Sequence, residues 1–140
     1  MTVKQLSVFL DDRSGGIEKL ADTLGNARLS IRAMTLNDNP SCAIFRMVVH
    51  DTERAISLLT QVGFQVQVTD VLAVHLEDRP GSLAEVARAL ADADVEVHYM
   101  YATFARSPGS AFVILKPSNT DRATSALLRA GVEVLDAAAF

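Results

Sequence analysis

The sequence predicts an α+β protein in which one βαββαβ unit is written twice. Two observations carry that prediction: an internal repeat spanning most of the chain, and hydrophobic periodicity that changes from strand to helix in the same order in both copies. The repeat is read directly. Leu6-Ser7-Val8-Phe9-Leu10-Asp11-Asp12-Arg13-Ser14-Gly15-Gly16-Ile17 aligns with Leu72-Ala73-Val74-His75-Leu76-Glu77-Asp78-Arg79-Pro80-Gly81-Ser82-Leu83. Downstream, Thr52-Glu53-Arg54-Ala55 aligns with Thr120-Asp121-Arg122-Ala123, and Val62-Gly63-Phe64 with Ala130-Gly131-Val132. The offset is 66 early (6 to 72) and 68 late (52 to 120), so the second copy carries extra residues in its middle. A period this long marks a duplicated small domain rather than a solenoid. The expected domains are 1–68 and 69–140, with Thr69-Asp70 as the whole junction.

In the first copy, Val3 to Leu10 alternates, with Leu6, Val8 and Leu10 on one face. Ser14-Gly15-Gly16 breaks that strand. Ile17, Leu20, Ala21 and Leu24 follow at i, i+3, i+4, i+7, the apolar stripe of a helix, and Gly25-Asn26 is expected to end it in the left-handed conformation. Leu29 to Leu36 alternates, Asn37-Asp38-Asn39-Pro40 is a turn, and Ala43 to Val49 is a third strand. Asp51 or Thr52 caps a second helix, with Ala55, Leu58, Leu59 and Val62 inward. Gly63 stops it, and Phe64, Val66 and Val68 form the last strand. The second copy repeats each step: Leu72, Val74 and Leu76; the stripe Leu83, Val86, Ala87, Leu90; Val95, Val97 and Tyr99; Ala111 to Leu115; the stripe Ala123, Ala126, Leu127, Ala130; and Val132 with Val134.

Right-handed crossovers allow two interleaved strand-helix-strand passages to form the ferredoxin-like arrangement, with both helices on one face of a four-stranded antiparallel sheet. The other face is left open. Alternation assigns Phe9, Arg32, Met34, Ile44, Val48, Gln65 and Gln67 to it in the first copy, and His75, His98, Met100, Phe112 and Ile114 in the second. Phe9, Met34, Ile44, Met100, Phe112 and Ile114 read either as scattered surface hydrophobes or, the favoured reading, as the face of a homodimer packed sheet on sheet.

Composition narrows the function. The formal charge is −4, so no basic patch for nucleic acid is expected. No apolar run reaches membrane-span or signal-peptide length, and a cytoplasmic protein follows. Cys42 is alone, which excludes a disulfide framework or a paired-cysteine metal site. His50, His75 and His98 have no metal-ligand spacing, Ser7, Ser57 and Ser125 have no triad pattern, and no glycine-rich nucleotide motif occurs. No enzyme and no cofactor is expected.

The βαββαβ order, the Asp-Arg-Pro-Gly-Ser-Leu turn at Asp78 to Leu83 and the Tyr99-Met100-Tyr101-Ala102 stretch resemble an ACT domain, and the tandem over residues 3 to 136 resembles the short stand-alone tandem ACT proteins of bacteria. That resemblance implies regulatory modules that bind an amino acid or similar small ligand. It also implies two units side by side, paired through second strands near 29–36 and 95–104, in one eight-stranded antiparallel sheet with four helices on one face. Ligands would sit at the seam, near the loop from first strand to first helix.

Physical chemistry favours a ligand at that loop as well. Arg79-Pro80-Gly81-Ser82-Leu83 leads from a strand into a helix N-terminus, whose unpaired N–H groups and partial positive charge suit a carboxylate. Gly81 lets backbone approach closely, Pro80 organises the loop, and Asp78 is placed to receive an ammonium group. The first copy keeps Asp12 and Arg13, then has Ser14-Gly15-Gly16-Ile17. Its loop should be floppier and its site weaker. Under side-by-side pairing, Tyr99 and Tyr101 would face loop 11–17, and Asn37 and Asp38 the loop 77–83; the tyrosines serve equally well as core aromatics, and Asn37 and Asp38 as turn formers. The expected function is a non-catalytic amino-acid sensor acting on a partner enzyme; the alternative is a ligand-free interaction module that regulates a separate enzyme or transcription factor.

Overall fold

The computed structural model describes residues 1–103 and 110–139. Its elements are β1 (Val3–Leu10), α1 (Gly15–Asn26), β2 (Ile31–Asp38), β3 (Ala43–Val49), α2 (Thr52–Gln61), β4 (Gln65–Glu77), α3 (Ser82–Asp92), β5 (Val97–Ala102), β6 (Ser110–Pro117) and α4 (Thr120–Arg129), followed by a 3-10 turn at Ala137–Ala139. The class is α+β. The chain divides into two compact units, Lys4–Thr69 and Asp70–Phe140, the latter taking Met1–Val3 with it.

In the first unit β3 lies between β1 and β2, antiparallel to both. Leu6 stands opposite Met47 and Val8 opposite Phe45. Register partners share a sheet face. Leu20 and Leu24 of α1 and Ala55 and Leu59 of α2 join these strand residues in one buried cluster. These are the predicted helical stripes, and burying them is what holds helices this short in place. The Asp51 side chain caps α2, accepting from the Arg54 N–H at 3.2 Å.

The second unit repeats the pattern. β6 lies between β4 and β5, with Leu72 opposite Leu115 and Val74 opposite Val113. Val86 and Leu90 of α3 and Ala123 and Leu127 of α4 complete its core. Asn119 caps α4, accepting from the Arg122 N–H at 2.9 Å.

Four expectations need correction. Eight strands are predicted and the described residues form six. The first copy's last strand and the second copy's first strand are one strand, β4, with neither Gly nor Pro at Thr69-Asp70 to interrupt it. The second copy's last strand is reduced to a single bridge, Val74 to Val134, flanked by His75 N–H to Glu133 C=O at 2.9 Å and Leu135 N–H to Ala73 C=O at 2.8 Å.

Second, the two strands predicted to pair with each other, 29–36 and 95–104, have partners within their own units: β2 pairs with β3 and β5 with β6, each at the edge of its own unit's strands. Phe104 lies outside the described residues.

Third, α1 does not stop in a left-handed Gly25. The helix continues, and the positive φ falls at Arg28 (58°), as at Asp94 (57°) after α3. Leu29 and Val95 are buried there, their N–H groups reaching back to Leu24 C=O and Leu90 C=O at 2.9 Å. Burial of the following apolar residue sets where the helix turns off, at the cost of a non-glycine residue in that conformation.

Fourth, Met34 and Met100 do not lie on the open face. Each second strand carries a bulge, between Ile31 and Ala33 in β2 and between Val97 and Tyr99 in β5. Beyond it Met34 stands opposite Met47, and Met100 opposite Leu115, both core residues on the helix side. Ile114, also predicted for a dimer face, is fully buried within the chain.

Candidate functional site

The two predicted loops occupy equivalent places, each joining the first strand of its unit to the first helix, yet their polar groups are wired differently. In the first copy the Asp12 carboxylate turns back on its own helix. Its Oδ1 accepts from the Gly15 N–H at 3.0 Å, the Ser14 N–H at 3.2 Å and the Ser14 hydroxyl at 3.4 Å. The positive end of α1 is thus already supplied with an anion. A Cβ at Gly15 would meet the Asp12 carboxylate and make it shift. Arg13 leaves the loop, donating from Nε to Asp38 Oδ1 at 2.8 Å and from Nη2 to Asn39 C=O at 2.7 Å. Gly16 backs onto Leu10, and half-buried Ile17 packs on the core. Asn37 accepts from Arg46 Nη1 at 2.7 Å. These bonds tie down a loop that its glycines alone would leave loose.

In the second copy α3 begins after Gly81, which holds φ at +89°, and it receives no side-chain cap. Asp78, the equivalent of Asp12, makes no hydrogen bond or ion pair among the described residues. Arg79 stays on its own side of the loop, with Nε 2.6 Å from Glu77 Oε2 and Nη2 2.8 Å from Glu85 Oε2. The hydrogen bond from Arg79 holds the Glu77 carboxyl below its ordinary value of 4.5. The bonds to Glu85 and Glu77 push the Arg79 guanidinium further up, so it stays charged at any accessible pH. Pro80 is exposed, Ser82 is buried at the first turn of α3, and Leu83 is 49% exposed beside the uncapped end. Tyr99 is half-buried and Tyr101 buried. Tyr101 stands opposite Ile114 and Tyr99 opposite Lys116, so the bulge has moved both off the helix side.

Each loop also walls a cavity inside its own unit. The first, an open pocket of about 340 Å³, is lined by Phe9, Asp11, Gly16 and Lys19 together with Gly63 and Phe64 of the turn after α2. The second, an open pocket of about 320 Å³, is lined by the equivalent His75, Glu77, Ser82 and Glu85 with Gly131 and Val132. Among the described residues no group of three His, Cys, Asp or Glu side chains is placed to hold a metal.

The repeat, the α+β units and their edge strands have a counterpart among known families. The family model for an ACT domain pair matches residues 1–138. The chain belongs to that family. A crystal structure of a protein from Bacteroides thetaiotaomicron is similar to this ACT pair at 33% identity and TM-score 0.92, covering 98% of this chain and 94% of that one. The ligand-free regulatory subunit of aspartate kinase from Thermus thermophilus shares the fold at 18% identity and TM-score 0.67, covering 91% of each chain. The regulatory subunit of aspartate kinase from Thermus flavus does so at 18% identity and TM-score 0.61, covering 91% and 92%. No curated protein matches the sequence.

Within the ACT pair, sequence reasoning found both loops but missed what closes the cavities: Lys19, Phe64 and their equivalents Glu85 and Val132. The repeat alignment already shows the charge reversal, Lys19 against Glu85.

Proposed function

We propose that this ACT pair is a regulatory protein that binds a free amino acid at the second-copy loop and passes the bound state to a partner enzyme. The observation that carries the reading is the contrast between the helix starts: α1 is capped by its own Asp12, whereas α3 is uncapped beside an unengaged Asp78. A ligand carboxylate takes the N–H groups of the α3 first turn and its ammonium takes Asp78. Arg79, already held between two glutamates, orients the loop. Asp12, Arg13, Ser14, Gly15, Gly16 and Ile17 form the weaker, self-occupied counterpart.

Assembly completes the site. β2 and β5 are edge strands, with Met34 and Leu36 each 45% exposed and Met100 40% exposed. A second copy pairing along these edges, in a cytoplasmic homodimer, covers that apolar surface and brings an edge strand, with its Asn37 or its Tyr99 and Tyr101, to the loop of its neighbour.

The test is a thermal-shift screen of the twenty amino acids followed by calorimetry. A ligand at 100 times its Kd stabilises by about 2.7 kcal/mol. Asp78→Ala should weaken binding about ten- to a hundredfold, the cost of a lost charge-assisted bond. Gly81→Val should weaken it more, because a β-branched residue does not hold φ at +89°. Binding unchanged in Gly81→Val would remove the loop from the site.

A further inference from the structure

Equivalent backbone N–H groups are received by a histidine in one copy and by a serine in the other. Ser30, the residue before β2, donates its N–H to His50 Nδ1 at 3.1 Å, and the His50 N–H returns to Ser30 C=O at 3.4 Å. Glu96, the residue before β5, donates its N–H to Ser118 Oγ at 3.0 Å, and the Ser118 N–H returns to Glu96 C=O at 2.8 Å. His50 and Ser118 match in the repeat, each directly before a helix cap, Asp51 or Asn119. Each pair of bonds closes a ring that ties the start of its unit's outer strand to the chain leaving the neighbouring strand.

The two acceptors differ in one chemical respect. A serine hydroxyl keeps its lone pairs at any accessible pH. An imidazole nitrogen accepts only while it is unprotonated, and in the charged ring both nitrogens donate. The bond from Ser30 therefore assigns the neutral ring with its proton on Nε2, and protonation breaks it. Histidine is the side chain whose charge changes between about pH 5 and 8. The charged groups on the segments around the ring are Asp51 beside it, Glu53 and Arg54 in the first turn of α2, Arg28 and Arg32 on either side of Ser30, and Lys4 in β1. None is hydrogen-bonded to or paired with the imidazole among the described residues, and the Asp51 carboxylate is taken by the Arg54 N–H at 3.2 Å.

We propose that His50 is a pH-sensitive latch at the start of β2, closed while the imidazole is neutral and open once it is charged, with Ser118 holding the start of β5 closed throughout. On opening, the Ser30 N–H and the new Nδ1–H are two donors facing each other, and both turn to water. Ser30 and His50 are exposed, so water takes the place of the lost acceptor and the opening stays local. Acid thus frays the start of one outer strand and leaves its counterpart unchanged.

The full-length chain labelled with 13C and 15N is followed by NMR from about pH 8 to about pH 5. At the alkaline end the His50 ring should be the Nε2–H tautomer. The Ser30 amide should move through the same midpoint as the His50 ring. Its hydrogen-exchange protection factor should fall about fivefold, the loss of one ordinary hydrogen bond. The Glu96 amide should do neither. His50→Ser installs the second copy's acceptor and should make Ser30 as insensitive as Glu96. His50→Ala should leave Ser30 at the wild type's acid-end protection throughout the range. An Nδ1–H tautomer at the alkaline end overturns the inference, as does a Ser30 amide that stays still while the ring titrates. A Ser30 amide that titrates unchanged in His50→Ala does the same.

Discussion

Arg32 and His98 stand at the same position of the two copies, and each is the extra residue of a β-bulge. In β2 the register steps from Ile31 opposite Val49 to Ala33 opposite Val48, and in β5 from Val97 opposite Pro117 to Tyr99 opposite Lys116. One extra residue reverses the alternation of everything after it. Ala33 is fully buried and Met34 is 45% exposed. Deleting Arg32 leaves Ala33 opposite Val48 and Met34 opposite Met47 in an unbroken ladder, so both side chains should keep their faces and the denaturation midpoint should move little. A loss of about 1–3 kcal/mol, as for overpacked cores, would show that the bulge is needed for more than register.

Asp51 and Asn119 do the same work at equivalent helix starts, accepting from the Arg54 N–H at 3.2 Å and the Arg122 N–H at 2.9 Å. Either type is a good cap, so Asp51→Asn and Asn119→Asp should each change stability by no more than about 0.5 kcal/mol. Alanine at either position should cost about 1 kcal/mol. The denaturation midpoints of the four variants check both statements.

The Arg79 bridge has a pH signature. Its hydrogen bond lowers the Glu77 pKa in the folded chain below the ordinary 4.5. A carboxyl whose folded pKa is depressed contributes stability above its unfolded value and loses it as pH falls through the folded one. The Glu77 side-chain carboxyl, followed by NMR, should therefore titrate below 4.5, and Arg79→Gln should return it toward that value. The pair is solvent-exposed, so added salt should narrow the difference. A Glu77 midpoint identical in wild type and Arg79→Gln would show that the bridge does not persist in solution.

What was legible follows the range of the forces involved. All four helices lie on stripes that the sequence shows, because burying Leu20, Leu24, Leu59, Val86, Leu90 and Leu127 is a local pattern with one solution. The bulges at Arg32 and His98 were illegible, since neither residue breaks a strand; only the register against β3 and β6 reveals them. The merger into β4 was illegible, since Asp70 is a residue that turns favour and only the pairing shows the strand running through it. At the candidate site, Asp12 and Asp78 look interchangeable in the alignment. Their difference follows from Ser14 against Pro80: Ser14 gives Asp12 an N–H and a hydroxyl to accept from, and Pro80 has neither.

The corrected faces also change where a dimer interface is expected. Ile114, Ala73, Ala33 and Val48, all away from the helix side, are at most 3% exposed within the chain and offer nothing to a second copy. Met34, Leu36 and Met100 lie on the helix side of edge strands and remain 40–45% exposed. A neighbour that extends the sheet past β2 or β5 supplies both backbone partners and a helix layer over these side chains. The chain should therefore run at twice its 15.1 kDa mass in light scattering at micromolar concentration. Met34→Asp with Met100→Asp should halve that mass without changing the far-ultraviolet circular dichroism, because both positions face solvent in the single chain and neither fills a core. Phe112→Lys is the contrasting variant: Phe112 packs on His75 with ring centroids 5.2 Å apart, so it should lower stability more than it shifts mass. A wild-type monomer, or a dimer that survives both aspartates, rules out edge pairing through β2 and β5.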